Sequence, residues 1–136
     1  MIQKPMFSPQ TEWLPPESFP DLSKHDEIAI DLETKDPGLK TMGSGSVTGK
    51  GKIVGIALAV DNWSGYYPIA HEGGGNMDEK MVMNYFRTVL NLPARKIFHN
   101  AMYDVCFIKA AGLKINGQIV DTMIAGSLVD ENRFRY

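Results

Sequence analysis

Two short segments carry the residues whose types and spacing suit chemistry. The first is Asp31-Leu32-Glu33, which closes the apolar run Ile28-Ala29-Ile30. Strand residues two apart project from the same face, so both carboxylates would stand side by side at a strand end. Adjacent anions raise each other's pKa unless a cation joins them. With no cysteine or clustered histidine nearby, a hard, oxygen-loving ion such as Mg²⁺ or Mn²⁺ is the matching partner. The pairing alone says little, because nine Asp and seven Glu in 136 residues make roughly half an Asp-x-Glu expected by chance. A solvated strand terminus is the plain alternative. Position speaks for use, since open α/β sheets place ligands at the carboxyl ends of their strands.

The second segment is His99-Asn100-Ala101-Met102-Tyr103-Asp104. A strand ends at His99 and a helix opens near Ala101, which puts Asp104 in a first helical turn where the macrodipole favours an anion. That preference is also its ordinary explanation, just as capping or packing is for His99 and Asn100. Two strand ends in one sheet would bring Asp31, Glu33 and Asp104 to a common crevice, although 73 positions separate the first from the last. Three convergent carboxylates suit one or two divalent ions, and two such ions about 4 Å apart clamp the attacking and leaving oxygens of a phosphoryl displacement.

These side chains need elements to hold them. Residues 27–33 read as a strand, closed by Asp36-Pro37-Gly38. Residues 35–52 carry five glycines and four lysines, a composition that predicts a flexible, locally basic loop. Residues 53–60 form a nearly continuous apolar run, suited to a strand covered on both faces. Residues 61–65 supply turn chemistry and 66–70 complete a hairpin, with Pro68 placing that strand at a sheet edge. After Gly73-Gly74-Gly75 the period becomes helical. Met81, Val82, Tyr85, Phe86, Val89 and Leu90 share a face, Asn76 or Asp78 can cap the start, and Pro93 follows the end. Residues 95–99 read as a strand, 101–111 as a helix ended by Gly112, and 119–120 as a minimal strand. Asp121 caps a last helix carrying Met123, Ile124, Leu128 and Val129. The order β-β-β-α-β-α-β-α implies an α/β fold, a mixed sheet with helices on its faces.

Residues 1–25 hold five of the eight prolines and no periodic apolar pattern, which predicts an extended arm apart from a domain at 26–136. Trp13, Leu14 and Phe19 are its apolar anchors; a mobile leader is the other reading. One cysteine, Cys106, excludes an internal disulfide and fits a reducing, cytoplasmic compartment. No signal-peptide core opens the chain, and its longest apolar run is far short of the roughly 20 residues of a membrane span, so no membrane partner is expected. A net charge of −2 excludes nucleic-acid binding by bulk charge, leaving only local contacts.

Ile28-Ala29-Ile30-Asp31-Leu32-Glu33-Thr34 resembles the first exonuclease motif of the DEDD, or DnaQ-like, 3′–5′ exonucleases. His99-Asn100-Ala101-Met102-Tyr103-Asp104 resembles their second, Asn-x-x-x-Asp. Val120-Asp121-Thr122-Met123 resembles the segment that follows in the proofreading domains of family A, DNA polymerase I-like, polymerases, and the glycine-rich insert resembles phage members of that group. The resemblance implies a ribonuclease H-like sheet of order 3-2-1-4-5. It implies Asp31, Glu33 and Asp104 as catalytic, metal-binding carboxylates for two Mg²⁺ or Mn²⁺ ions. Asp31 would bridge the ions, Glu33 would support the one that activates water, and Asp104 would hold the other. Leu32, Thr34, His99 and Asn100 would meet the terminal nucleotide, Leu32 and Thr34 partly by backbone. The substrate would be the 3′ end of single-stranded DNA, cleaved to nucleoside monophosphates, with a DNA polymerase domain or subunit as partner. A phage-infected bacterial cytoplasm would be the setting.

The family's third motif, Tyr-x-x-x-Asp or His-x-x-x-x-Asp, has no match. The sequence stops at Tyr136, 32 positions after Asp104, and Asp121, Asp130 and Glu131 do not fit the pattern. A fourth ligand and a water-orienting group are therefore expected to be missing, the domain C-terminally incomplete with part of its sheet uncovered, and the isolated chain weak or inactive. A non-catalytic remnant that binds nucleic-acid ends or a polymerase subunit is a second reading, and an RNA-trimming relative a third. The Gly45–Gly51 stretch is no phosphate-binding P-loop, since Ser44 and Gly51 stand where that motif needs Gly and Ser or Thr. Lys35, Lys40, Lys50 and Lys52 could meet a DNA backbone, but a solvated hairpin explains most of them better.

Overall fold

The computed structural model describes residues 14–132. In chain order they form β1 (Glu27–Lys35), α1 (Leu39–Met42), α2 (Gly45–Thr48), β2 (Lys52–Val60), β3 (Trp63–Pro68), α3 (Glu79–Asn91), β4 (Arg95–Phe98), α4 (Ala101–Ala110), β5 (Ile119–Asp121) and α5 (Thr122–Val129). The sheet order is β3-β2-β1-β4-β5, as the resemblance implied, with β3 at an edge as Pro68 predicted. β1 pairs antiparallel with β2 and parallel with β4, so the sheet is mixed.

Strict alternation in β1 sets the two faces of the sheet. Ile28, Ile30 and Leu32 are buried, while Asp31 and Glu33 are exposed. Ile56 and Leu58 of β2, Tyr67 of β3 and Phe98 of β4 join the buried set. α3 covers them with Val82, Phe86, Val89 and Leu90, and α4 with Phe107 and Ile108. Burial of each such side chain contributes on the order of 1.5–3 kcal/mol, enough in sum to fix which face of β1 carries the acids. Met81, expected on the buried helix face, is exposed at its margin. Asp78 is the α3 cap, accepting from the Met81 N–H at 2.9 Å. The other candidate, Asn76, instead clamps the backbone of His71, donating to its carbonyl and accepting from its N–H, each at 2.8 Å.

One core position of β4 is a lysine. Lys96 is wholly buried, its stem lying along the core as a methylene chain. Its ammonium donates to the carbonyls of Ala94 at 2.8 Å, Asn116 at 2.7 Å and Leu92. It thereby ties the end of α3 to the approach to β5. The stretch before β1 also packs on the domain. Leu22 is buried, and Phe19 stacks on Tyr67 with ring centroids 5.5 Å apart. Tyr67 and Tyr85 donate to the carbonyls of Ser18 at 3.2 Å and Pro20 at 2.6 Å. Leu14 is exposed; Trp13 and the tail Arg133-Phe134-Arg135-Tyr136 lie outside the described residues.

Three further expectations change. The hairpin turn is only Asp61-Asn62, with Asn62 left-handed at φ 67°, so β3 begins at Trp63 rather than Tyr66 and ends at Pro68. β2 is covered on both faces only in its first half; Ala57 and Ala59 are half-buried on the face that carries the acids. The glycine-rich insert is no flexible loop. Asp36 accepts from the Gly45 N–H with both oxygens at 3.0 Å, and α1 and α2 form. A β-carbon on Gly51 would press on the Phe107 ring, so glycine there permits the close docking of the insert on α4. Gly45 and Gly51 serve close approach, while Gly43 and Gly49 supply left-handed turns.

Candidate active site

β1 outruns its neighbour. Its parallel pairing with β4 covers residues 27–29 against 95–97, and among the described residues no strand pairs with β1 beyond that on this side. The Leu32 N–H instead donates to Asp104 Oδ2 at 3.3 Å. α4 delivers Asp104 to this spot because the chain turns sharply at Asn100, left-handed at φ 62°, between β4 and the helix. A short polar side chain tolerates that conformation. The Asn100 side chain does not cap α4. Asp121 does so from the end of β5, accepting from the N–H groups of Asn100 at 3.0 Å and Ala101 at 2.9 Å. The same carboxylate accepts from the Met123 N–H at 2.9 Å and so starts α5 as well.

Asp104 thus lies against the backbone between Asp31 and Glu33. It is only 4% exposed. Burial pushes its carboxyl up to about 6; the Leu32 hydrogen bond opposes this, and the charges of Asp31 and Glu33 add to the rise. The residues across the strand pair are small: Ala57 stands opposite Asp31 and Gly55 opposite Glu33. An open hollow of about 560 Å³ lies alongside, lined in part by Asp31, Ala57, Ala59, Tyr66, His99 and Thr122. Among the described residues, no three of His, Cys, Asp and Glu already stand as a metal-ligand set. The donor chemistry of Asp31, Glu33 and Asp104 nevertheless fits a divalent cation, because a buried carboxyl burdened by two neighbouring anions is what such an ion relieves.

The other expected residues divide. Leu32 turns its side chain into the core, leaving its backbone to the site. Thr34 is engaged by Tyr103: the Tyr103 hydroxyl donates to Asp36 Oδ2 at 2.9 Å, so the Thr34 hydroxyl donates to it, also at 2.9 Å. His99 reaches the hollow's rim, with Nδ1 3.0 Å from Thr122 Oγ1. Thr122 spends its hydrogen on the Phe98 carbonyl at 3.1 Å, so His99 carries its proton on Nδ1 in that contact. Asn100 is exposed at the corner beside Asp104's helix. Sequence reasoning missed the Tyr103–Asp36 link and the second capping role of Asp121. Both depend on contacts between distant segments that no local pattern announces.

A 3′–5′ exonuclease family model matches residues 7–135. The chain belongs to this exonuclease family. Among curated proteins, it is 32% identical over 138 residues to the DNA-directed DNA polymerase of Pseudomonas phage M6, covering 96% of this chain and 21% of that one. It is 29% identical over 112 residues to DNA polymerase I of Borreliella burgdorferi, covering 82% of this chain and 11% of that one. The chain therefore spans about a fifth and a tenth of these relatives. Among solved structures, Brucella melitensis NrnC matches with a TM-score of 0.55 and 22% identity, over 85% of this chain and half of that one. The EXO domain of Aedes aegypti Nibbler matches with a TM-score of 0.55 and 15% identity, over 87% and 53%. At these identities the structural matches speak for the exonuclease fold.

Proposed function

We propose that this chain is the 3′–5′ proofreading exonuclease domain of a phage-type DNA polymerase, hydrolysing the terminal phosphodiester at a DNA 3′ end. The observation that carries the reading is Asp104 held by the Leu32 N–H between Asp31 and Glu33. In this reading the three carboxylates hold Mg²⁺ or Mn²⁺; NrnC, a neighbour in fold, has been solved with bound Mg²⁺. When bound, the ions supply an activated water and stabilise charge on the phosphoryl oxygens. Asp31 and Glu33 offer exposed oxygens on the open face, and Asp104 gives its remaining acceptor capacity while Leu32 fixes its orientation. Ala57 and Ala59 leave room beside the acids for a terminal nucleotide. His99 and Asn100 flank that space from the β4–α4 corner, and Thr34 from the end of β1. The polymerase remainder of the relatives is the expected partner.

Calorimetric titration of Mg²⁺ or Mn²⁺ tests the site. The parent chain is expected to bind, and the Asp31→Ala, Glu33→Ala double variant to lose binding; equal binding by both sinks the site. A second reading is a module that binds a nucleic-acid end without cleaving it. On either reading the 136-residue chain alone should digest single-stranded DNA slowly or not at all. Rapid Mg²⁺-dependent release of mononucleotides contradicts that and rejects the second reading.

A further inference from the structure

Tyr66 stands on the same sheet face as the acids, on edge strand β3, opposite Ala57. Its ring does not stay over Ala57. A β-carbon built on Gly55 would fall on the Tyr66 hydroxyl. Gly55 is the residue directly across from Glu33, and directly paired residues present their side chains to the same face about 5 Å apart. The phenol therefore occupies the place where a side chain neighbouring Glu33 would be. Glu33's charge reaches it: burial first, then Glu33, pushes the Tyr66 hydroxyl above its usual pKa.

The phenol is also held from behind. Its hydroxyl shares a hydrogen bond with His71 Nε2, the two rings meeting edge-on with centroids 5.8 Å apart. His71 is pinned in turn, its backbone clamped at both polar groups by Asn76. The next residue, Glu72, forms an ion pair with Lys35 at the end of β1. Both ends of the link thus return to the strand that carries Asp31 and Glu33.

We propose that Tyr66, held by His71 over Gly55, is a positioning residue that fixes the Glu33 carboxylate and its hydration for metal binding. This rests on the metal reading above. Groups that orient ligands in this way typically change metal affinity 10–100-fold when removed.

Mn²⁺ titration of the 136-residue chain, with thermal melts confirming that each variant folds, provides the test. Tyr66→Phe keeps the ring and loses the hydroxyl; it is expected to weaken Mn²⁺ binding about tenfold. Gly55→Ala, which drives the hydroxyl away, should do the same. His71→Gln, which keeps a polar group at similar reach, should recover most of the loss seen in His71→Ala. In a Glu33→Ala background, Tyr66→Phe should add nothing further. Parent-like affinity in Tyr66→Phe, or a loss that persists undiminished without Glu33, overturns the inference while leaving the site intact. Mn²⁺ binding that is absent from the parent, or that survives Asp31→Ala with Glu33→Ala, overturns the site reading and this inference with it.

Discussion

At Asp104 the chain keeps a carboxylate where folding alone would favour a neutral group. The folded-state value is about 6 against an ordinary 3.8, so the folded chain holds its proton more tightly than the unfolded one. Stability from this group is therefore greatest below pH 3.8, declines as the pH climbs toward 6, and stays reduced above. Asp104→Asn keeps an acceptor for the Leu32 N–H and removes the charge. It should be more stable than the parent by about 2–3 kcal/mol at pH 8 and nearly equal to it at pH 4. Urea unfolding at the two pH values reads this, and a variant less stable at pH 8 rejects it. Mg²⁺ should stabilise the parent and leave the variant unmoved. The three acids were legible in the sequence because residue type, strand alternation and a first-turn position are local. Tyr66 was not: its place beside Glu33 follows from cross-strand register and from the absence of a side chain at Gly55.

At the scale of elements, Asp121 holds two helices to one strand end. Its carboxylate sits partly buried, which alone would raise its pKa, yet the N–H donors of Ala101, Met123, Asn100 and Ile124 together hold it below the usual 3.8. A depressed carboxyl stabilises the fold above pH 3.8, and that stabilisation is lost as the pH falls through the folded-state value. Asp121→Ala should cost about 2 kcal/mol at pH 7, as expected for lost helix caps, and its acid unfolding should be shallower than the parent's. A cost below about 0.5 kcal/mol removes the shared cap. The sequence identified Asp121 as the cap of α5, since that pairing lies within three residues. It could not reveal the cap of α4, which requires β4 and β5 to end side by side. The insert misled for the same kind of reason. Glycine content signals freedom only when nothing holds the backbone, and here Asp36 accepts from the Gly45 N–H and Phe107 packs on Gly51.

For the whole molecule, the distribution of cover over the sheet has consequences. α3 and α4 bury one face, while on the other Ala29, Ala57, Ala59 and Ile97 line the hollow beside the acids. α5 buries none of its residues; Ile124 is 57%, Leu128 83% and Val129 84% exposed. Among the described residues, the small side chains of β1 and β2 leave this face open. Exposed apolar side chains clustered in this way on one helix favour association in water. The 136-residue chain should therefore sediment with a concentration-dependent increase in mass. Leu128→Glu with Val129→Glu should restore a monomer and leave the melting temperature nearly unchanged, since neither side chain contributes to the core. A parent that stays monomeric up to roughly 100 μM, or a double variant that melts well below it, would show that this surface is already covered within the chain.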